Sequence, residues 1–277
     1  MLQIKVLIDN FPSPAQPSLK DEHGLSFFVE FEGKRILCDM GASSAFLENA
    51  QLMGVDLKQL DFAFLSHGHA DHTGGLRAFL ETNSEAPVYM SSAIFHQRYF
   101  SSRRGGKREI STEEALYPLY ADRLKPLSDS VWLTKDIAVV RNKVHTHPAP
   151  LGNVFLTVEE KGVEQQDTFA HELSLAFVTP KGLVILSSCS HGGALNIMDS
   201  CVAFTGIKQV VAFIGGLHLV DSNRVAAEAT ALTDQVQNLY PGIRLITGHC
   251  TGVRAREVLK EVSFVEFFHT GWTQCLE

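Results

Sequence analysis

Apolar residues cluster in short runs that end at glycine, proline or aspartate, a pattern typical of strands that lead into loops. In the first quarter of the chain, four such runs occupy residues 4–9, 25–31, 34–41 and 61–68. Residues 43–53 show helical spacing instead, with Ser43 or Ser44 as the N-cap and Gly54 as the stop. A second helix is expected to begin near Thr73 and to run through Leu80.

A second series of apolar runs follows residue 130, and helical spacing returns around 222–239. Because two β-rich halves with interspersed helices succeed one another, the pattern favours an α/β (α+β) chain with two mixed sheets facing each other and helices outside, a four-layer αββα sandwich. The length of 277 residues is common for one layered domain. We therefore expect a single domain over residues 1–277.

Residues 96–127 differ from their surroundings because arginine, lysine and tyrosine are interleaved there around Gly105 and Gly106. This composition indicates an inserted, lid-like segment. Arg103 and Arg104 are candidate substrate contacts, since arginine recognises phosphate groups and stacks on flat rings. A solvated helical lid without a binding role is the alternative.

Composition narrows the classes of function. The chain has 24 basic and 31 acidic residues, a formal net charge of -7, which argues against nucleic-acid binding by bulk electrostatics. The N-terminal apolar run is broken by Lys5 and Asp9 and resembles a strand more than a signal peptide. No apolar stretch approaches the roughly 18 residues that span a bilayer. Five scattered cysteines without a Cys-x-x-Cys pair favour a reducing, cytoplasmic location.

The sequence His67-Gly68-His69-Ala70-Asp71-His72 brings three imidazoles and one carboxylate together directly after an apolar run. These donors suit zinc, iron or manganese; the alternative is a polar surface loop that is merely rich in histidine. If Asp71 is not a ligand, it is a candidate general base.

Four donors do not complete the coordination of two metal ions, so further ligands must come from elsewhere in the chain. Three histidines follow later apolar runs and stand beside glycines, which permit close approach of the backbone: His191, His218 and His249. For His218 the alternatives are a ligand, a substrate contact and a structural hydrogen bond.

The chain resembles the metallo-β-lactamase superfamily, which is marked by His-x-His-x-Asp-His followed by later metal-binding histidines. The succession HGLSFFVE, ILCDMG, LSHGHADHTGGL, SSCSHGG, IGGLHL and GHCTG extends the likeness to the subfamily labelled dihydropteroate-synthase-like, or dihydropterin-6-methyl-ribofuranosyl-aminobenzene-phosphate synthase-like, over nearly the whole chain. The resemblance implies a metallo-β-lactamase αββα sandwich.

The resemblance also implies a ligand set for two divalent metal ions, with zinc favoured over manganese or iron. The first ion is assigned to His67, His69 and His191, and the second is assigned to Asp71, His72 and His249. Many relatives have a bridging aspartate at the strand end that here carries Cys189 and Ser190. Cys189 is therefore either a soft ligand that favours zinc or a small buried thiol. Asp39, in CDMG, either orients a ligating histidine or caps the turn at Gly41.

The resulting expectation is a metal-dependent, hydrolase-like enzyme, a monomer or homodimer, that uses a metal-bound hydroxide on a small anionic substrate, a phosphate ester or a pterin-type molecule. Asp71 and His218 are the candidate catalytic residues, and His218 and His23, with the basic insertion, are candidates for binding substrate. His23, and His171 with Glu172, either line the pocket or donate a proton to a leaving group. Three alternatives remain: a transferase that joins a pterin diphosphate to an aminobenzene derivative, an iron-dependent redox enzyme, and a ligand-sensing module without catalysis.

Overall fold

Eighteen strands and seven helices form the regular structure of residues 1–103, 105–220 and 222–276, the part of the chain that the computed structural model describes. The strands are β1 Leu2–Ile8, β2 Ser26–Phe31, β3 Lys34–Cys38, β4 Phe62–Phe64, β5 Val88–Ser91, β6 Arg98–Ser101, β7 Arg108–Glu109, β8 Leu124–Leu127, β9 Val131–Trp132, β10 Ile137–Arg141, β11 Leu156–Glu160, β12 Val163–Gln166, β13 Leu173–Thr179, β14 Gly182–Leu186, β15 Val210–Ile214, β16 Arg244–Thr247, β17 Val265–Phe267 and β18 Thr273–Leu276. The helices are α1 Ala45–Leu52, α2 Ala70–Thr73, α3 Leu76–Thr82, α4 Leu116–Leu119, α5 Ala194–Thr205, α6 Val225–Leu239 and α7 Val253–Leu259, with a 3-10 turn at Leu151–Phe155.

The chain divides into two compact units. Unit 1 comprises residues 1–128, 155–167 and 269–277, and unit 2 comprises residues 129–154 and 168–268. Each unit has its own seven-stranded sheet and its own apolar core. The single domain expected over residues 1–277 stays a prediction.

The sheet of unit 1 has the order β18-β1-β2-β3-β4-β5-β8. Its first four strands pair antiparallel, and β3, β4, β5 and β8 run parallel. Phe46 of α1 and Phe79 of α3 are fully buried in the core beneath it. Because Cys38 and Phe64 are paired at the carboxyl ends of β3 and β4, the chain leaves both strands at one edge of the sheet. That edge places Asp39 next to the loop that contains the histidine motif.

The sheet of unit 2 has the order β17-β16-β15-β14-β13-β10-β9, and α5 and α6 supply apolar side chains to its core. Strands β14, β15 and β16 are parallel neighbours. Their carboxyl ends therefore meet at one edge, which is where loops of parallel sheets commonly form ligand sites. The loops that begin there carry Cys189 and His191, then His218, then His249.

The predicted helix over 43–53 is α1, and Gly54 follows it with φ +67°. The helix expected from Thr73 is displaced to α3, because the motif itself forms the short α2. Residues 96–127 hold little helix: β6 and β7 join β11 and β12 in a four-stranded sheet, β8 extends the main sheet, and only α4 is helical. The role of this segment as a lid stays a prediction.

Candidate metal centre

The histidine motif forms a compact cluster in unit 1. The ring centroids of His67 and His72 lie 4.2 Å apart, and those of His67 and His69 lie 4.6 Å apart. All three side chains are buried. Helix α2 begins at Ala70, so His69 is its N-cap, and Asp71 and His72 lie within its single turn. A local loop thus brings together the three imidazoles that the sequence predicted as ligands.

Asp39 organises this cluster from the end of β3. Its Oδ1 accepts the Ser66 backbone N–H at 2.8 Å, and its Oδ2 accepts the Ser66 hydroxyl at 2.7 Å. The same Oδ2 lies 2.8 Å from His72 Nδ1. Because a carboxylate accepts the Nδ1 proton, the His72 lone pair is placed on Nε2, the tautomer that a metal requires there. The structure therefore supports the orienting role for Asp39.

Asp71 and His23 lie next to each other at the open side of the motif. Asp71 Oδ2 is 3.7 Å from His23 Nε2 and 3.8 Å from His72 Nε2. The His23 side chain is 45% exposed, whereas His72 is fully buried. His23 is thus accessible from solvent and adjacent to Asp71, and its role as a substrate contact stays a prediction.

The basic insertion supports the motif through backbone contacts. The Ala70 N–H donates to the Ile110 carbonyl at 2.8 Å, and the Thr112 hydroxyl donates to the Gly68 carbonyl at 3.2 Å. A Cβ on Gly68 would collide with the buried Tyr99 ring, which explains the glycine. The pKa of Tyr99 is raised by burial. Arg103 is exposed, and Arg104 lies outside the described residues, so their proposed role in binding substrate stays a prediction.

In unit 2, buried polar groups hold His191. Glu172 accepts the backbone N–H groups of His191 and Gly192, each at 2.7 Å. His191 Nδ1 lies 3.3 Å from Asn153 Oδ1, and the Phe169 ring stacks on the imidazole at 4.4 Å. His171, which the sequence analysis assigned to the pocket wall, is also buried, with its ring centroid 6.1 Å from that of Phe169.

A hydrogen bond joins His218 to Cys250, which lie on neighbouring loops of unit 2. The ring centroid of His218 lies 4.2 Å from that of His191. The backbone N–H of His218 donates to Cys250 Sγ at 3.2 Å. Burial alone would raise the pKa of the Cys250 thiol, but hydrogen bonds with Cys189 and His218 and the nearby imidazoles of His249 and His218 outweigh it and lower that pKa well below its usual value.

Backbone strain is concentrated at the candidate residues. Seven non-glycine residues of the described chain have positive φ, and four of them are Asp39 (56°), Ser190 (59°), His218 (49°) and His249 (49°). Such conformations cost roughly 1–3 kcal/mol each and persist where the surroundings impose them. All four residues lie in the loops that follow the carboxyl ends of β3, β14, β15 and β16, the same loops that carry the predicted site residues.

The donors present fit a metal ion. In unit 1 the rings of His67, His69 and His72 are buried beside one another, and in unit 2 the ligand atoms of Cys189, His218 and Cys250 lie within 4.8 Å of one another. Both ring nitrogens of His218 are buried and have no hydrogen-bond partner among the described residues. Since burying an unsatisfied polar group is costly, coordination of a cation is a chemically consistent use of this side chain. The pairing of His191 and His249 with the motif histidines stays a prediction.

Residues 19–163 match the family model described as the metallo-beta-lactamase superfamily. The chain belongs to this superfamily. The expected α/β fold class is confirmed, and the coarse function follows with it: a metal-dependent enzyme of the superfamily. Among the described residues, no helix is long and apolar enough to cross a membrane.

Three known proteins are similar to this chain over most of its length. The chain is 32% identical, over 87% of its length and 84% of the relative's, to 7,8-dihydropterin-6-methyl-4-(beta-D-ribofuranosyl)-aminobenzene-5'-phosphate synthase of Methanocaldococcus jannaschii. A solved metal-dependent hydrolase of the beta-lactamase superfamily is 26% identical, with a TM-score of 0.81 and full coverage of both chains. The zinc-bound PqqB of Methylobacterium extorquens, 15% identical with a TM-score of 0.60 over 99% of this chain and all of its own, shares the fold.

Sequence reasoning named Glu172 only as a pocket-lining or proton-donating candidate beside His171, and it assigned no role to Ser66 or Cys250. Glu172 anchors residues 191–192, Ser66 joins Asp39 to His67 Nδ1 at 2.7 Å, and Cys250 stands beside His249. For Cys250 a signal existed in the sequence, because it follows a histidine at a strand end as Cys189 precedes one. The roles of Ser66 and Glu172 depend on contacts that pattern does not encode.

Proposed function

We propose that the chain is a metal-dependent, hydrolase-like enzyme that acts on a small anionic substrate, such as a phosphate ester or a pterin-type molecule. The observation that carries the proposal is the buried cluster of His67, His69 and His72 with Asp71 at its rim. Divalent cations bound there, with zinc favoured, would supply Lewis acidity and an activated water. Asp39 holds the His72 ring by its Nδ1 proton, and Asp71 and His23 are placed to exchange a proton at the exposed side.

A cavity of about 360 Å³ in unit 2 supports the anionic character of the substrate. Its polar lining includes Arg141, Asn142, His145 and Thr168, and Phe169 is part of its apolar lining. Phe169 also stacks on His191, so the cavity borders a candidate ligand. A guanidinium with amide and hydroxyl groups suits a phosphate or carboxylate. We propose that this cavity receives the anionic group of the substrate; recognition by Arg103 and Arg104 is the alternative.

The relative from Methanocaldococcus jannaschii favours a second candidate function, because that relative is named as a synthase. In a transferase that joins a pterin diphosphate to an aminobenzene derivative, the same cationic cavity would bind the leaving diphosphate. The two functions differ in their nucleophile, which is water in the hydrolase and an amine in the transferase.

We also propose that the protein is a cytoplasmic monomer or homodimer without nucleic-acid partners.

The test begins with metal analysis of His69→Ala. We expect this variant to lose most bound metal and all turnover in a screen of phosphate esters, because His69 is a buried member of the cluster. His96→Ala is the matched control, since His96 is an exposed histidine of the same unit. Full metal retention in His69→Ala contradicts the assignment. Release of diphosphate that requires an added aminobenzene acceptor establishes the transferase; release without it establishes the hydrolase.

A further inference from the structure

Two thiols and one imidazole converge in unit 2. The ligand atoms of Cys189, His218 and Cys250 all lie within 4.8 Å of one another, and the three residues are 3%, 4% and 8% exposed. They come from three separate loops, which follow the parallel strands β14, β15 and β16. The convergence is therefore produced by the fold and not by a local sequence motif.

His218 is the residue that points to a ligand. Its Nδ1 and Nε2 are both buried and have no hydrogen-bond partner among the described residues. An imidazole carries one donor and one acceptor, and leaving such groups buried and unpaired is destabilising. A cation on one ring nitrogen would remove part of that cost.

The loops hold these side chains close together. His218 has φ +49°, its N–H donates to Cys250 Sγ, and the Leu217 N–H donates to the Thr251 hydroxyl at 3.0 Å. A Cβ on Gly216 would collide with Cys250 Sγ, so glycine is required for the close approach of the two loops. The backbone arrangement thus brings the loops that carry His218 and Cys250 into close contact.

We propose that Cys189, His218 and Cys250 form a cation site selective for a soft or borderline metal, Zn²⁺ above all. Thiolates prefer such metals, whereas manganese and magnesium prefer oxygen donors. Three protein ligands leave one position of a zinc tetrahedron open, as in zinc sites that bind water or substrate. The inference deepens the proposed function, since it shares His218 with the candidate catalytic residues, but it does not require the motif histidines of unit 1.

The test uses the full-length protein, reduced and stripped of metal, and titrated with Co²⁺ and then Zn²⁺. We expect a near-ultraviolet charge-transfer absorption from thiolate to Co²⁺ that Zn²⁺ abolishes. In Cys250→Ser this absorption should disappear, with the apparent affinity of the site lowered more than about 100-fold, beyond the effect usual for residues that only support ligands. The variant should also lose one zinc per chain in elemental analysis.

Cys201→Ser is the matched control, because Cys201 is a fully buried thiol of the same unit on α5. It should keep the absorption. His69→Ala should keep it too, so that failure of the enzyme site and failure of the thiolate site are distinguishable. Equal loss of the absorption in Cys201→Ser, or its persistence in Cys250→Ser, overturns the proposal.

X-ray absorption spectroscopy of the wild-type zinc protein provides a measurement that does not depend on a variant folding. The proposal requires sulfur scatterers at about 2.3 Å together with nitrogen at about 2.0 Å. A zinc protein with only nitrogen and oxygen neighbours contradicts it.

Discussion

Replacing Asp39 by Asn separates the orienting role of this carboxylate from its size. The carboxylate of Asp39 accepts three hydrogen bonds, from the Ser66 N–H, the Ser66 hydroxyl and His72 Nδ1. The Asn side chain has one oxygen and one NH2 group. If the NH2 replaces Oδ1, it faces the Ser66 N–H. If it replaces Oδ2, the His72 proton is driven to Nε2, where it blocks a metal.

The magnitude follows from these two arrangements. An unsatisfied buried donor costs about 1–3 kcal/mol of unfolding free energy. Loss of the group that orients a ligating histidine lowers metal affinity about 10–100-fold, which corresponds to about 1.4–2.8 kcal/mol. Asp39→Asn is therefore expected to weaken zinc binding by one to two decades and to destabilise the metal-free protein as well.

The assay is competition with a chromophoric chelator for zinc, paired with urea unfolding of the metal-free protein. Asp9→Asn is the control, because Asp9 is also fully buried in unit 1 and accepts the Phe11 N–H at 3.0 Å. It should lose stability but keep wild-type zinc affinity. Wild-type affinity in Asp39→Asn would refute the orienting role, whatever its stability.

Two further predictions concern the frame that carries the loops. Gly215→Ala should destabilise the protein far more than Gly206→Ala in urea unfolding, because a Cβ at Gly215 would collide with the Ser187 carbonyl. A Cβ at Gly206 faces open space, so Gly206→Ala should cost only about 1–2 kcal/mol of unfolding free energy for its left-handed φ of +77°. Equal losses would contradict the steric argument. Glu266→Gln should cost under about 1 kcal/mol, since both partners of the Arg244 pair are more than a third exposed. The hydrogen bond with Arg244 lowers the pKa of Glu266, so the pair stabilises the folded protein fully above the ordinary glutamate pKa of about 4.3. Urea unfolding at a series of lower pH values should show that stabilisation disappear as Glu266 becomes protonated.

The main strands and the first helix could be predicted because their signals are local. Alternating burial along β1 and the glycine after α1 are consequences of the pattern itself. The four-stranded sheet could not be predicted, because β7 is only two residues long and the neighbour of β7 in the sheet, β6, also pairs with the distant β11, Leu156 lying opposite Ser101. Its exposed Arg108 and Glu109 carry no apolar alternation, and their pairing depends on contacts distant in sequence.

The same distinction holds for the candidate site. His67, His69, Asp71 and His72 are close in sequence, so their residue types alone predicted a cluster. The contact between Asp39 and His72 joins the end of β3 to helix α2, 33 residues later. Orientation of a ligating histidine was one of the two roles expected of Asp39, because such histidines commonly need a carboxylate partner. The contact that Glu172 makes could not be predicted in this way, since its partners are backbone N–H groups, which every residue except proline possesses.

The identity of the metal is the property on which the cysteines bear most directly. Histidines alone accept zinc, iron, nickel or copper, and carboxylates add manganese to the candidates. A buried thiol at Cys189, with Cys250 within 4.8 Å of it, shifts this balance, because a thiolate binds Zn²⁺ strongly and Mn²⁺ weakly. If these thiols bind the ion, Cys189 serves as a soft donor at the strand end where many relatives have an aspartate, and metal preference becomes a consequence of that replacement.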